Sequence, residues 1–239
     1  IMMKTVLHPA GSRGHANHGW LDSHHTFSFA GYHHPERVHF GMLRVLNDDM
    51  VKGGMGFGQH PHDNMEIVSI PLKGVLEHRD TTGGHGLIRA GEVQIMSAGS
   101  GLQHSEKNGS HSEDVNFLQI WVFPKERNIK PRYDQKLYPA SERENKFQTV
   151  VAPDKTDGAL WINQDAWFSL GSFQKGKAVD YTMHRRESGV YLFVIEGSVT
   201  VNGQLLNRRD GYGLWDTDSV SLVAQDSSEV LLMEVPMMP

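Results

Sequence analysis

Gly54-Met-Gly-Phe-Gly-Gln-His60-Pro-His62-Asp-Asn-Met-Glu66 is the stretch on which the reading of this chain turns: past a run of glycines it sets two histidines at positions i and i+2. Residues so spaced on a β-strand face the same side. A second pair with that spacing, His104 and Glu106, stands in Gly101-Leu-Gln-His-Ser-Glu-Lys-Asn108. Two neighbouring strands would aim three imidazoles and one carboxylate into a single pocket, which is the outline of a metal site. Among 15 histidines in 239 residues one His-x-His is expected by chance about once, so the first pair alone carries little. Its frame gives it weight. Gly54 precedes His60, Glu66 follows His62, and Ile67-Val-Ser-Ile-Pro-Leu-Lys73 reads as a strand ending at Gly74. The second pair is framed similarly: Gly91 opens Glu92-Val-Gln-Ile-Met-Ser-Ala-Gly-Ser-Gly101, a strand with a glycine-rich end, and Asn108 follows His104.

The chain is long enough for two β domains, each burying its own core. From Pro124 to Lys146 the composition turns to Lys, Arg, Glu, Pro and Asn, which suits a polar crossing segment better than a core strand and places domains at 1–138 and 139–239. A net charge of −5, with no Lys/Arg cluster interleaved with aromatics, argues against nucleic acid as a direct ligand. Cysteine is absent, so there is no disulfide framework, and a metal must be held by nitrogen and oxygen. The start lacks the apolar stretch of a signal peptide and no run approaches the ~18 apolar residues of a membrane span, so a cytoplasmic protein is expected, not a membrane one.

Along the chain, Thr26-Phe-Ser-Phe29 reads as a strand, and the histidines around it, His15, His18, His24 and His25, as loop or surface positions without a strand-spaced partner. Phe40–Leu46 is a strand stopped by Asn47-Asp-Asp49. Val75–Asp80 is the return strand of a hairpin through Gly74, Asp80–Gly86 is a wide turn, and Val115–Pro124 is the longest strand signal. Short strands separated by turn residues follow from Phe147 to Val235, with Asn202-Gly203 a type I′ hairpin turn. Helical periodicity is nearly missing. The halves look like variations on one plan: Leu72-Lys-Gly-Val-Leu-Glu77 parallels Ile195-Glu-Gly-Ser-Val-Thr200, and Arg89-Ala-Gly-Glu92 parallels Arg209-Asp-Gly-Tyr212. Laid over each other, they leave only His184 near a ligand slot of the second half, where a local hydrogen bond explains it better than a metal. One copy is expected to be active and the other to close, brace or shield it.

At this point the residues resemble a known family. The order Gly54, His60-x-His62, Glu66, Gly74, then Gly91, His104, Asn108 is similar to the two cupin motifs, and the longer text resembles the bacterial branch of the pirin family. The phrases that carry the likeness are Arg13-Gly-His-Ala-Asn-His-Gly-Trp-Leu-Asp-Ser23, Gly58-Gln-His-Pro-His-Asp-Asn-Met-Glu66, Ala90-Gly-Glu-Val-Gln-Ile-Met-Ser-Ala-Gly-Ser-Gly101 and His104-Ser-Glu-Lys-Asn108. The likeness spans nearly the whole chain and is strongest from residue 13 to about 134. It implies an all-β bicupin of two antiparallel jelly-roll β-barrels, with a metal in the first barrel held by His60, His62, His104 and Glu106. Glu66 fills the general cupin glutamate position, but the pirin carboxylate ligand is the one two residues after the last histidine, so Glu66 stays outside the ligand set.

The resemblance also implies a chemistry. Three imidazoles and a carboxylate leave an octahedral ion two open positions, the pattern of non-haem iron oxygenases, whereas the same four ligands close a tetrahedron around structural zinc. Pirin-like proteins include quercetinases, which open a flavonol ring with O2, so the implied activity is that of a metal-dependent dioxygenase of the quercetin 2,3-dioxygenase type. The implied ion is Fe2+, with Ni, Cu, Zn, Mn or Co as ions the protein could carry when isolated. Glu106 is the implied catalytic base, and a carboxylate on a cation must loosen from it to take a proton. Metal affinity is expected to fall below about pH 6.5, where free imidazole protonates. The alternative is a non-enzymatic, metal-containing regulatory protein that acts through protein partners.

Overall fold

The strands at the middle of this protein do not alternate between apolar and polar residues. Glu66–Lys73 and Ser188–Glu196 are buried along nearly their whole length, as strands covered on both faces must be. The structure, a computed structural model, describes residues 2–154 and 158–239, so Ile1 lies outside the described residues.

The first half carries β1 (Lys4–His8), β2 (Gly14–Asn17), β3 (Leu21–His25), β4 (Leu43–Val51), β5 (Gly56–His62) and β6 (Glu66–Lys73). It continues with β7 (Val75–Asp80), β8 (His85–Arg89), β9 (Glu92–Ser97), β10 (Leu102–Asn108), β11 (Val115–Val122) and β12 (Arg132–Leu137). The second half has β13 (Phe147–Ala152), β14 (Leu160–Trp161), β15 (Trp167–Phe173), β16 (Ala178–Thr182) and β17 (Ser188–Glu196). It ends with β18 (Val199–Val201), β19 (Gln204–Leu206), β20 (Gly211–Trp215), β21 (Ser219–Ala224) and β22 (Ser228–Pro236).

In the first domain a seven-stranded sheet, β12-β9-β6-β11-β4-β3-β2, lies over a four-stranded one, β5-β10-β7-β8. The second repeats the plan with β1-β20-β17-β22-β15-β13-β14 over β16-β21-β18-β19. The protein is therefore all-β with two cupin domains, and its sheets form open, jelly-roll-like pairs instead of closed barrels. The chain's first strand, β1, pairs with β20 of the second domain. The two large sheets pack back to back. Leu46, Val68, Ile70, Leu118 and Ile120 meet Phe168, Leu170, Phe193, Leu231 and Met233 in one apolar core.

The interiors of the two domains differ. Between the second domain's sheets lies one continuous apolar cluster that includes Val190, Leu192, Val199, Val201, Leu222 and Leu232. Between the first domain's sheets the apolar residues split into two small groups, one around Phe117 and Leu76, the other around Ile67 and Met96. The buried polar side chains of Ser69, Asn47, Asp49, His104 and Glu106 lie in this domain's strands.

Several local expectations change. Thr26-Phe-Ser-Phe29 is not a strand: the strand is the preceding Leu21–His25, and the Ser28 hydroxyl ties the following loop together by donating to the Arg37 carbonyl at 2.9 Å and accepting from the His34 backbone N–H at 3.0 Å. Asn47-Asp-Asp49 does not stop β4, which runs on to Val51, because all three side chains are buried against polar neighbours or the cavity described below. β6 and β7 do not form a hairpin. β6 pairs with β9 and β11, β7 with β8 and β10, and the chain crosses between sheets at Gly74. A side chain there would meet Asp114 O at 2.6 Å, and φ is +82°, so only glycine fits. The polar segment after Pro124 includes β12, an edge strand with a largely exposed face. The Asn202-Gly203 turn joins β18 to β19 with φ of 47° and 84°, as a type I′ turn requires.

One buried ion pair links the domains. Arg209 donates to Asp48 Oδ2 at 2.8 Å, and Arg13 reaches the same oxygen at 3.0 Å. Burial alone would raise the Asp48 carboxyl, but Arg209, Asn116 and Arg13 hold it below its ordinary range. Replacing Arg209 by Met leaves a buried carboxylate with less compensation and is expected to cost about 3 kcal/mol, the low end for breaking such a pair because Arg13 remains. Urea unfolding at pH 7 measures this, and an unchanged midpoint would show that the pair does not join the domains energetically.

Candidate metal centre

β5 and β10 are antiparallel neighbours, and their register sets His104 opposite His60. The next pair, Glu106 opposite Phe57, is offset by a bulge that leaves Gly58 and Gln59 facing the single residue Ser105. Bulges re-aim side chains, and this one turns the Gly58 carbonyl to 2.7 Å from His60 Nδ1. A carbonyl only accepts, so Nδ1 carries a proton and Nε2 is the nitrogen left to face a metal. His60 Nε2 stands 2.9 Å from His104 Nε2, and His62 completes the group with ring centroids 4.8 and 4.7 Å from the other two. The three rings meet edge to face at 67° to 80°, so their nitrogens converge.

Glu106 lies beside them, with Oε1 at 3.7 Å from His104 Nε2. Ser69 donates to its Oε2 at 3.2 Å and Gln119 donates to Oε1. His104 and Glu106 are 1% and 2% exposed, so neither turns to solvent. Glu66 is on the other face of β6 from Ser69. It accepts from Ser97 Oγ and from the backbone of Asn163 in the second domain, both at 2.8 Å, and takes no part in the cluster.

The donor set fits a divalent cation. Two nitrogens held by one ion through bonds of about 2.1 Å lie about 3 Å apart, and His60 Nε2 and His104 Nε2 are that close. Burial, with the neighbouring imidazoles adding to it, pushes His62 down to about 4 and His104 down to about 3. Both are thus neutral and ready to bind a metal well below pH 6.5, lower than a free imidazole allows.

His60, His62 and Glu106 form one corner of a cavity of about 390 Å³, walled by Trp20, Phe29, Phe57 and Trp121. That volume suits a small organic ligand. Its floor is polar: Asn47, Asp49, Ser23, His25 and Gln119 line it from the large sheet. None of these was singled out from sequence, although three polar residues interrupting a strand pattern at Asn47-Asp-Asp49 mark either its end or its functional face.

Two other histidine sites behave differently. His184 stacks on Trp167 at 4.3 Å and bonds to buried Glu234 at 3.0 Å, the local role expected of it. His15 and His24, expected to lack strand partners, sit opposite each other on β2 and β3 with Asp22 alongside. Their rings are parallel, 4° apart in plane, so a common ion would require them to rotate first.

Known proteins place the chain. The family model described as pirin matches residues 7–122, and the one described as quercetinase C-terminal cupin domain matches 149–235. A protein of Escherichia coli (strain K12) named quercetin 2,3-dioxygenase is 44% identical over 232 residues, covering 96% of this chain and 98% of its own length. The chain belongs to the pirin family. A pirin-like protein of Caulobacter vibrioides is 38% identical to this pirin over 227 residues, covering 95% of this chain and 97% of its own. The crystal structure of the bacterial pirin YhhW of Escherichia coli in complex with nickel(II) superposes with a TM-score of 0.92 at 43% identity, covering 98% of this chain and 99% of that one. The histidine cluster and that relative's nickel together point to a divalent metal site in this pirin. Among the described residues no helix is long and apolar enough to cross a membrane.

The histidine shifts set a pH dependence. His8, His25 and His62 are held near 4 and His104 near 3, in each case chiefly by burial. Their folded values lie below the unfolded 6.5, so between pH 6.5 and about 4 the unfolded chain binds protons the folded chain refuses, and stability falls as pH falls. Asp49, lifted by burial to about 7, opposes this with one proton taken up by the folded chain. The net sign still favours acid destabilisation. Metal-free protein should melt progressively lower from pH 6.5 to 4.5, and a flat or rising melting temperature would contradict the assignment of neutral buried imidazoles.

Proposed function

We propose that this pirin is a metal-dependent dioxygenase of the quercetin 2,3-dioxygenase type, with His60, His62, His104 and Glu106 as metal ligands and Glu106 also as the base. The observation that carries the reading is the convergence of three imidazoles and a buried carboxylate at the end of an aromatic-walled cavity. Residues 1–138, apart from β1, which pairs into the other domain's sheet, would form the metal-bearing domain, and 139–239 the domain that braces it through the shared apolar core. Support from relatives is the name quercetin 2,3-dioxygenase at 44% identity and the nickel(II) complex at 43%.

Fe2+ is the ion we assign to the working enzyme, with Ni, Cu, Zn, Mn or Co as ions found in its place; it would supply open positions for a hydroxy-ketone and for O2. The chain's own residues do the rest. Trp121 stands edge-on to His62 at 5.1 Å, and with Phe29 and Phe57 it keeps water from a flat, flavonol-like aromatic ring. Glu106 takes the proton of the substrate hydroxyl. Ser69 and Gln119, one on each carboxylate oxygen, hold it in line for that transfer.

Glu106→Gln is expected to lower turnover by about 10²-fold or more while much of the metal stays bound, and His62→Ala to lose the metal. Metal analysis alongside aerobic loss of quercetin's visible absorbance reads both. Full turnover in Glu106→Gln with normal metal content would remove Glu106 as base. Capture of a protein partner by metal-loaded protein that never consumes O2 would favour the regulatory alternative.

A further inference from the structure

The cavity has a second polar pole. Three buried side-chain atoms without a hydrogen-bond partner, His25 Nδ1, Asn47 Oδ1 and Trp121 Nε1, belong to residues that line it. His25 and Asn47 are 4% and 2% exposed. Buried polar atoms are nearly always paired, so three unpartnered ones on side chains that line one cavity mark the wall where a small turn of the side chain lets a ligand supply the partner.

The strand register gives their layout. Gln119 on β11 is opposite Asn47 on β4, and Asn47 is opposite His25 on β3. Gln119 holds Glu106 at the metal corner. Strands in a sheet lie about 4.8 Å apart, so His25 stands two spacings, roughly 10 Å, from that corner across the cavity floor. A ligand engaging both ends spans two or three rings.

The chemistry of the far pole is fixed by a hydrogen-bonded row. Ser23 Oγ donates to Asp49 and lies 2.9 Å from His25 Nε2. Ser23 has one proton, so when Asp49 is ionised His25 Nε2–H donates to Ser23 and Nδ1 is left as an acceptor. When Asp49 carries a proton the row can run the other way and Nδ1 becomes a donor. A hydroxyl satisfies both states, because it gives and takes hydrogen bonds. A carboxylate matches only one and would sit against Asp49, while an ammonium would lack an acceptor's complement in the other.

We propose that His25 and Asn47, oriented by Ser23 and Asp49, form a subsite that binds a hydroxyl on an aromatic ring remote from the metal-binding end of the substrate. The inference rests on reading the cavity as the substrate site. It makes this pirin selective for polyhydroxylated multi-ring aromatics, with selectivity residing in binding and not in the chemical step.

Calorimetry on nickel-loaded protein without O2 tests the subsite apart from turnover. The probes are quercetin and the flavonol that lacks hydroxyls on the pendant ring. Wild type is expected to bind quercetin about 10- to 100-fold tighter. Asn47→Leu and His25→Phe should bring the two affinities together by weakening quercetin alone, with nickel content unchanged. Ser23→Ala, a smaller change, serves if His25→Phe does not fold, and should lower the preference partially. Equal affinities in wild type, or a preference untouched by these variants, would overturn the subsite. A preference lost in the variants in a protein that never consumes O2 would keep the subsite and remove the dioxygenase, turnover with equal affinities would do the reverse, and binding of neither flavonol would overturn both.

Discussion

The pairing of Gly56–His62 with Leu102–Asn108 is the constraint on which the rest of this protein depends. Those two strands carry all the residues assigned to the metal, and only their antiparallel register brings positions over forty apart in the chain to within hydrogen-bonding range. The bulge at Gly58 is part of that constraint, since it supplies the carbonyl that fixes the tautomer of His60. Holding bare imidazole nitrogens close together in a buried corner is unfavourable without a cation between them. The domain accepts that cost because the surrounding sheets are stable on other grounds.

Those grounds are apolar. The large sheets of the two domains bury one another, and the second domain fills its own interior with a single cluster. The first domain can then give up part of its interior to polar side chains and a cavity. Tying the domains together through Asp48 and Arg209 places a buried charge pair on β4, the strand that also carries Asn47 and Asp49 of the cavity floor, where its removal would be felt as lost stability. The two halves thus divide the work between packing and chemistry, which is why similar sequence plans end in different interiors.

Electrostatics and packing act in the same direction at the site. Burial keeps His62 and His104 unprotonated, and it is burial again that lifts Asp49 toward neutrality on the far side of the floor. A partly enclosed, aromatic-walled space of about 390 Å³ strengthens the hydrogen bonds made within it. The nickel complex of the Escherichia coli pirin and the dioxygenase name of a relative agree with this chemistry.

By itself the sequence determined the all-β class, the doubled plan and the i, i+2 pairs His60/His62 and His104/Glu106, because strand periodicity and glycine punctuation are local properties of the chain. It could not decide which strands are neighbours. That is why Val75–Asp80 read as a hairpin partner of Glu66–Lys73, why Asn47-Asp-Asp49 read as a stop, and why His15 and His24 read as unpartnered. Only the tertiary structure put Asn47 between Gln119 and His25, since that row is written across three strands distant in sequence and joined by non-local hydrogen bonds.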